Sequence, residues 1–271
     1  MTIKRLYGAL FFATAMLYAG GATAQVTVDS TYSHRKEYIR MFSVGATDIL
    51  DTYLSPEKYR GTELRYIFQD NRQLRWEHMT QTMIHQGGFA AVDNRANTGS
   101  ELGGSYNFQY IMRYNWQLTP KLRLAVGGGA DLNLGFLYNT RNGNNPVQVR
   151  ASLNLAPSAA LRYDFRLKSC AFRLGYEAMV PAIGVMFSPN YGQSYYEIFD
   201  EGDNDHNFVF TTTGTTPSLR QLLSLDFRPV KKWKRSWLRI GYVGDYQQAH
   251  VNHLKYHQYS HMFMMGWVKG M

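Results

Sequence analysis

The sequence predicts an all-β protein, an antiparallel up-and-down transmembrane β-barrel of about ten strands, and two stretches of alternating side chains are the main evidence. From Val147 to Leu167 every odd-numbered position is apolar or aromatic, whereas the even-numbered positions are polar or small. Successive side chains of a strand point to opposite faces, and a helix would need apolar residues three and four apart. A bilayer-crossing strand needs only about 9–11 residues, so this stretch rises above the membrane or bends at Pro157.

The second stretch, residues 121–136, distinguishes a membrane barrel from a soluble one. Its polar face carries Arg123, Asp131 and Asn133 together with repeated glycines. Glycine weakens a strand and serves no purpose on a solvent-facing surface, but a narrow lumen needs small residues so that long side chains from the opposite wall fit. A soluble β-sandwich or lipocalin-like barrel would show the same alternation and stays the alternative. The glycines favour the membrane barrel.

The N-terminal segment Met1–Ala24 has the pattern of a secretory signal peptide. Lys4 and Arg5 precede an apolar run, and Ala22-Thr23-Ala24 forms a cleavage site of the A-x-A kind. The mature chain is then a single barrel domain, residues 25–271. Later in the chain, no apolar run approaches the roughly 20 residues of a membrane helix. We therefore expect export to the outer membrane of a Gram-negative bacterium.

Composition limits the function further. The chain has 271 residues and a single cysteine, Cys170, so an intramolecular disulfide is excluded. The formal charge of +9 falls to +7 when the signal peptide takes away Lys4 and Arg5. A basic balance often indicates nucleic acid or anionic lipid as a partner, and export excludes nucleic acid. The 20 tyrosines and 15 phenylalanines suit the aromatic girdles that face outer-membrane lipid.

Turn signals divide the mature chain into ten candidate strands. They lie near residues 38–47, 62–68, 74–86, 102–118, 121–136, 147–167, 172–180, 219–227, 238–246 and 253–268. Eight or twelve strands stay open, because the first and third alternate weakly. Asp70-Asn71-Arg72 is expected as the turn before the third strand, whose outward face would include Thr82 and Ile84. Tight turns on one side and longer loops on the other predict that both termini are periplasmic.

A loop motif adds a family resemblance. The segment 51–61 contains Leu54-Ser55-Pro56, Tyr59 and Gly61. With the signal peptide and the barrel layout, it resembles a family of uncharacterised outer-membrane barrels, a domain of unknown function, from Bacteroides-type bacteria. The resemblance implies an outer-membrane location and brings neither an activity nor catalytic residues. The last strand departs from common outer-membrane signals, because Trp267 is followed by Val-Lys-Gly-Met.

The inward faces of the predicted strands hold many charges. The functional interpretation is a selective pore or an anion-binding lumen. The simpler interpretation, which we favour, is a set of salt bridges that fills a narrow barrel, since buried charges must be paired and an eight-stranded interior is just filled by side chains. Glu63, Arg65, Asp245 and Lys255 are also expected inside. The candidate network consists of Arg113, Arg123, Asp131, Arg150, Arg162, Asp164, Arg166, Arg173, Glu177, Arg220, Asp226 and Arg239.

The segment Ser188–Pro217 is the longest without clear alternation. Loops beyond about 12–15 residues are uncommon unless they are functional or disordered, and disorder would require few aromatics. We expect it to fold over the outer mouth, with its acids near lumen or rim arginines, and to bind a ligand or a partner of a membrane complex. Its candidate residues are Tyr191, Tyr195, Tyr196, Phe199, Asp200, Glu201, Asp203 and Asp205.

Histidines and loop acids raise the question of a metal or an enzyme. His253, His257 and His261 share one strand face, but residues four apart are separated by about 13 Å, so no two can bind one zinc. Lumen-facing histidines flanked by tyrosine are the favoured interpretation.

Barrel-type lipid A deacylases use a His-x-Ser pair, whereas Tyr259 follows His257 at that spacing. Asp203, Asp205 and His206 could serve a mouth hydrolase. We favour a non-enzymatic barrel without cofactor, with a small channel next and a lipid or peptide hydrolase last.

Overall fold

The computed structural model describes residues 36–229, 233 and 235–271, so the predicted signal peptide Met1–Ala24 lies outside the described residues. They contain one short helix and twelve strands. The strands are β1 (Lys36–Asp51), β2 (Lys58–Gln73), β3 (Met79–Asn94), β4 (Ser100–Thr119), β5 (Leu122–Asn139), β6 (Val147–Leu167), β7 (Cys170–Met179), β8 (Ile183–Phe187), β9 (Phe208–Thr212), β10 (Leu219–Arg228), β11 (Ser236–Val251) and β12 (Leu254–Gly270). The helix is α1 (Tyr195–Phe199). Among the described residues, none forms a helix long and apolar enough to cross a membrane.

Ten of the strands close into a barrel. The antiparallel order runs β1 to β7, then β10, β11 and β12, and β12 pairs back with β1. The predicted all-β, antiparallel, ten-stranded barrel is therefore confirmed. Strands β8 and β9 are additional and form a hairpin that pairs with the loop-end half of β6 and continues the wall beyond β7.

The strands are strongly tilted, as their register shows. When the paired residues are followed from Ala46 on β1 across β2, β3 and β4, the path reaches Tyr138 on β5. The opposite route, through β12, β11, β10, β7 and β6, leads to Val126 on the same strand. The sheet thus closes with an offset of 12 residues (138 − 126), which for ten strands corresponds to a tilt of about 40° and a rise of about 2.5 Å per residue along the barrel axis.

Strand β6 has the predicted bounds, Val147–Leu167, and runs through Pro157 without a break. Its lower half pairs with β7 and its upper half pairs with β8. The extra length thus builds a wall above the closed ring. The prediction of one long loop over Ser188–Pro217 was wrong in part, because β9 lies within it. Strand β9 has only five residues, which are too few for alternation of polar and apolar side chains to indicate a strand.

The exterior of the barrel is apolar, and its side chains are exposed. On β6, Leu153 and Leu155 are 56% and 60% exposed, while Asn154 between them is 7% exposed. Phe263 and Met265 on β12 are also more than half exposed. This inside-out distribution is that of a membrane-spanning barrel with a lipid-facing belt.

The turn between the second and third predicted strands was misplaced, and the third strand was assigned to the wrong face. Strand β2 continues to Gln73, with Arg72 paired to Asp70 at 2.5 Å, so the predicted turn at residues 70–72 does not form. Strand β3 begins only at Met79, and Thr82 and Ile84 are buried inside the barrel. A shift of one residue exchanges the two faces of a strand, and the weak alternation here left that choice undetermined.

The histidine assignment on β12 was also wrong. Met262 and Met264 are fully buried, which places Lys255, His257 and His261 on the outward face. His253 lies in the turn before the strand, with a φ of 60°. Both faces of β12 are apolar near residues 262–265, so the sequence could not identify the inner one.

The two ends of the barrel differ. The termini end holds Lys36, Met271 and the connections β2–β3, β4–β5, β6–β7 and β10–β11. The loop end holds the other seven connections, including the long one between β8 and β9. The rule of tight turns on one side has an exception, because Asn252-His253 is a two-residue turn at the loop end. Residues 230–232 and 234, in the connection between β10 and β11, lie outside the described residues.

A pair of substitutions on β6 tests the lipid-facing belt. Leu161 and Leu167 are 41% and 59% exposed on the same outward face, about 15 Å apart along the axis. An arginine costs roughly 2–4 kcal/mol near the bilayer midplane and about 0–1 near the interface. We expect Leu161→Arg to lower the free energy of unfolding from vesicles by the larger amount and Leu167→Arg by the smaller. Equal, small losses in chemical denaturation would show a solvent-facing wall instead.

Candidate functional site

A chain of buried ion pairs crosses the lumen. Arg65 on β2 donates to Glu63 and, through Nη1, to Asp245 Oδ2 on β11 at 2.7 Å. The same oxygen accepts from Arg220 Nη1 on β10 at 2.8 Å. Arg220 Nε lies 3.3 Å from Asp131 Oδ1 on β5, an ion pair without hydrogen-bond geometry. All five side chains are buried, so this central ion chain links β2, β10, β11 and β5 through the interior.

An apolar layer adjoins the central ion chain on its termini side. Ile67, Leu222 and Val243 each lie two residues from a member of the chain on the same inward strand face. They pack with other apolar side chains into one cluster, which excludes water from this level of the lumen. The sequence did not predict this layer, because the inner face was expected to be polar. Its buried members are Ile39, Met41, Ile67, Ile84, Ile111, Ala156, Met179, Val243, Met262, Met264 and Val268.

A second group of ion pairs fills the lumen near the termini end. Arg173 lies 3.0 Å from Glu37, 3.4 Å from Asp164 and 3.7 Å from Asp226. Arg239 Nε donates to Asp226 at 2.6 Å. This termini ion cluster places β1, β6, β7, β10 and β11 in contact across the interior.

Arg113 extends the termini ion cluster toward the apolar layer. Its Nη1 donates to Glu177 Oε2 at 3.0 Å, and its Nε and Nη2 both donate to the Ser158 hydroxyl. Glu177 also accepts from Gln69 at 3.4 Å. Side chains from β2, β4, β6 and β7 therefore meet at this level.

Three small cavities lie between these layers in the part of the barrel that the structure describes. The first, of about 100 Å³, lies on the loop side of the central ion chain, and the second, of about 50 Å³, lies beside the apolar layer. The third, of about 150 Å³, lies among the termini ion cluster. Neighbouring cavities share lining residues, among them Arg65 and Asp245 for the first pair and Arg113 and Glu177 for the second. Since one water takes about 30 Å³, each cavity holds a few waters at most.

The loop end of the lumen is covered by packed side chains. Arg150 donates to Asp51 at 2.8 Å, and its guanidinium lies 3.2 Å from the centre of the Tyr256 ring. A further apolar cluster lies around this pair; its buried members are Ile49, Leu54, Tyr59, Ala90, Val92 and Leu137. Tyr53 packs edge-on against Tyr195 of α1, with ring centres 5.8 Å apart.

The outer hairpin, residues 183–212, bends over this cover. Tyr195 donates from its hydroxyl to Gln148 at 2.8 Å and accepts from the backbone N–H of Val149 at 2.7 Å. On the other side, Asn252 donates to the carbonyls of Ser188 and His206, both at 3.0 Å. The hairpin is therefore fixed to β6 and to the β11–β12 turn.

The shifted pKa values of this region belong to two half-buried tyrosines and to the acid that caps α1. Burial, helped by the carboxylates of Asp51 and Glu197, raises the pKa of Tyr53 to about 12. Burial also raises the pKa of Tyr195. The Ser194 backbone N–H, and then its hydroxyl, lower the pKa of Glu197, which forms the capping box of α1. Both phenols thus stay neutral in their packing.

The outward surface of the outer hairpin is aromatic. Tyr191 is 74% exposed, Tyr196 62%, Phe199 69%, Phe208 73% and Phe210 66%. Aromatic stacking orders part of this surface, since the rings of Tyr195 and Phe199 are 6.0 Å apart at an interplanar angle of 11°. An exposed apolar patch of this kind indicates a contact surface.

The loop acids do not form the contacts expected of them. Asp200, Glu201, Asp203 and Asp205 are all exposed. Among the described residues, the ion pairs within 4.0 Å join none of them to an arginine. These four acids instead place negative charge beside the aromatic surface.

The structure places most of the candidate lumen residues inside the barrel and joins them into the two ion-pair groups and the cover. Arg162 lies 3.3 Å from Asp164. Arg123 donates to Gln117 at 3.2 Å near the termini end, and Arg166 is exposed there. Both belong to the rim rather than to the interior.

Sequence reasoning missed Glu37 and Asp51, which pair with Arg173 and Arg150. Both occupy the inward, odd-numbered face of β1, together with Ile39 and Met41. The available signal was the alternation of the strand, in which odd-numbered residues share the inward face. It was missed because the strand was predicted to span only residues 38–47.

Polar groups also occur on the outward face. Asp48 accepts from Arg60 at 2.6 Å and contacts His257 Nε2 at 3.0 Å, while His261 Nδ1 lies 2.7 Å from the Tyr242 hydroxyl. These histidines therefore bind neighbouring side chains. Within the described ranges, histidine, cysteine and acidic residues form no group of three that could hold a metal.

Substitution of Asp245 tests the central ion chain. Asp245→Asn removes the charge that Arg65 and Arg220 share, and breaking a buried pair costs about 3–5 kcal/mol because uncompensated charge remains. We expect that loss in the free energy of unfolding measured by denaturant titration. The control Asp200→Asn, on an exposed acid, should change it by less than about 0.5 kcal/mol. Similar values for both variants would show that the ion chain does not stabilise the barrel.

Comparison with solved structures finds outer-membrane proteins with low similarity to this chain. The Escherichia coli outer-membrane protease OmpT is 6% identical, with a TM-score of 0.46 over 89% of this chain and 98% of that one. The transport unit of the Escherichia coli autotransporter AIDA-I is 10% identical, with a TM-score of 0.46 over 95% and 96%. The beta domain of the Bordetella autotransporter BrkA is 13% identical, with a TM-score of 0.44 over 87% and 99%. At these values the neighbours carry no information on activity.

Sequence comparison gives the family. The chain has no match among curated proteins. The resemblance to barrels of Bacteroides-type bacteria stays a prediction. One family model, described as "Protein of unknown function (DUF3316)", matches residues 9–271. The chain therefore belongs to this family of proteins of unknown function.

Proposed function

We propose that this protein is an outer-membrane β-barrel without enzymatic activity, whose closed lumen is structural and whose outer hairpin binds a ligand or a partner of a membrane complex. The observation that supports the proposal is the contrast between the lumen and the outer hairpin. The lumen is occupied by layers of ion pairs and apolar side chains with small cavities between them, whereas the outer hairpin exposes five aromatic rings. Residues that could act on another molecule are therefore concentrated outside the barrel.

The apolar exterior and the signal-peptide pattern support an outer-membrane location. Closed barrels satisfy every backbone polar group within the bilayer, which makes them one of two structures that span membranes. The termini end would face the periplasm and the loop end the exterior, the usual arrangement of these barrels.

The layers of the lumen support a structural role for its charges. A solute would have to pass both the central ion chain and the apolar layer. Parting Arg65 from Asp245 would leave buried charges without partners, which costs several kcal/mol. The charges therefore act as a plug, and they also join strands across the interior.

The composition of the outer hairpin supports binding. Aromatic residues dominate the energetics of protein interfaces, and a polar rim commonly surrounds them. Here Tyr196 and Phe199 lie on α1, which is fixed at both sides, and Asp200 and Glu201 follow directly. A partner with apolar side chains and a basic border would fit this surface.

Site-specific photo-cross-linking tests the outer hairpin. A photoreactive phenylalanine analogue at Tyr196 or Phe199 should give a discrete protein adduct in native outer membranes. The matched control is Phe263, which is 56% exposed on the lipid-facing wall and should give none. Absence of an adduct at both hairpin positions, or the same adduct at all three, would contradict the proposal.

A small channel is the second candidate, and the row of three cavities favours it. Their shared lining by Arg65, Asp245, Arg113 and Glu177 marks a route that would open if these ion pairs parted. Steady single-channel conductance in planar bilayers would support this alternative, and the closed lumen predicts none.

A further inference from the structure

We propose that the termini end of the barrel is a binding surface for anionic phospholipid headgroups, an inference that rests on the membrane insertion proposed above. The surface consists of exposed cations in a ring around the barrel and of the tryptophans at the same level. It would engage the phosphate groups of the leaflet that surrounds this end.

Exposed charge is distributed unequally between the two ends. At the termini end, the described residues include seven exposed cations: Lys36, Arg40, Arg75, Arg166, Lys168, Arg235 and Lys269. Glu77 is the one exposed acid there among the described residues. The described part of the loop end has five exposed cations, Lys58, Arg60, Arg95, Arg141 and Lys255, against six exposed acids, Glu57, Asp93, Asp200, Glu201, Asp203 and Asp205. The excess positive charge of the chain therefore lies at one end.

The other acids of the termini end do not offset these cations, because they are occupied. Glu37 pairs with Arg173, and Asp226 pairs with Arg239. Asp164, whose side chain is 44% exposed, pairs with Arg162 and Arg173. Asp70 is buried and already bound to Arg72. Seven exposed cations thus remain for a partner that carries negative charge.

The arrangement of the cations indicates a membrane leaflet rather than a single protein. Each of the four connections at this end contains a cation: Arg75 in β2–β3, Lys121 in β4–β5, Lys168 in β6–β7 and Arg235 in β10–β11. The sequence of the last connection adds Lys231, Lys232 and Lys234, which lie outside the described residues. A protein would contact one sector of such a ring, whereas a lipid leaflet surrounds all of it.

The tryptophans lie at the same end and indicate the headgroup level. The chain has five tryptophans, and all are at the termini end: Trp76, Trp116, Trp233, Trp237 and Trp267. All but Trp237, which packs against Arg173 and Arg228, are between 40% and 67% exposed. Tryptophan is enriched at membrane–water interfaces, and basic residues near an anionic leaflet are attracted to it. Tryptophans and basic residues at the same level are therefore suited to contact with the phosphate groups of lipids.

Quenching of the native tryptophans by brominated lipid tests the proposal. The mature chain is refolded into neutral phosphatidylcholine vesicles that contain a small, equal fraction of either brominated phosphatidylglycerol or brominated phosphatidylcholine. Because all tryptophans lie at the termini end, the fluorescence reports on lipid there. We expect a preference for the anionic lipid on the order of fivefold, the effect of one basic side chain at an anionic surface. Salt at 1 M, where the Debye length is about 3 Å, should abolish it.

Two matched variants locate the effect. Replacing Arg75, Lys121, Lys168 and Arg235 with glutamine, which takes one cation from each connection, should lower the preference at least twofold. The same exchange at Lys58, Arg95, Arg141 and Lys255 of the loop end should leave it unchanged. Equal quenching by both lipids in the wild-type chain, or a preference that the first variant leaves unchanged, would overturn the inference. Quenching by neither lipid would show that the barrel is not inserted, which would overturn the proposed function and this inference with it.

Discussion

The central ion chain is the constraint on which the rest of the interior depends. Glu63, Arg65, Asp245, Arg220 and Asp131 are all buried, and a buried charge is tolerated only when it is paired. Their contacts reach from β2 through β10 and β11 to β5, so these strands can satisfy their charges only at one relative position. A ten-stranded barrel is narrow enough for arginines from opposite walls to meet in this way. The central ion chain therefore fixes the relative positions of these strands and blocks the lumen.

The remaining layers follow from the same geometry. Tilted strands bring inward residues of successive strands to common levels, so an apolar residue two positions from a charged one falls into the neighbouring layer. This produces an interior of alternating character, with ion pairs at two levels and a dry apolar layer between them. The outside is correspondingly apolar. Function is then left to the two ends, which differ in chemistry: an aromatic and acidic loop end and a basic, tryptophan-rich termini end.

Much of this was predictable wherever the two faces of a strand differ in polarity. Strand β6 was predicted to the residue, because its apolar face and its polar face never exchange character. Strands β3 and β12 could not be assigned, since the apolar layer puts Ile84, Met262 and Met264 inside the barrel next to apolar residues outside. The five-residue β9 was too short for periodicity to detect. Which arginine meets which acid depends on the 12-residue register offset, and a sequence pattern does not contain that offset.

Methionine methyl NMR tests the closed interior most directly. Met41, Met262 and Met264 are fully buried in the apolar layer, whereas Met265 is 59% exposed on the outward face of the same strand as Met264. With labelled methyl groups in the refolded barrel, a lipid-soluble paramagnetic agent should broaden Met265 and leave the three inner methionines sharp. A water-soluble agent should broaden none of the four. Broadening of the three inner signals by the water-soluble agent would show an open, hydrated lumen and contradict the account.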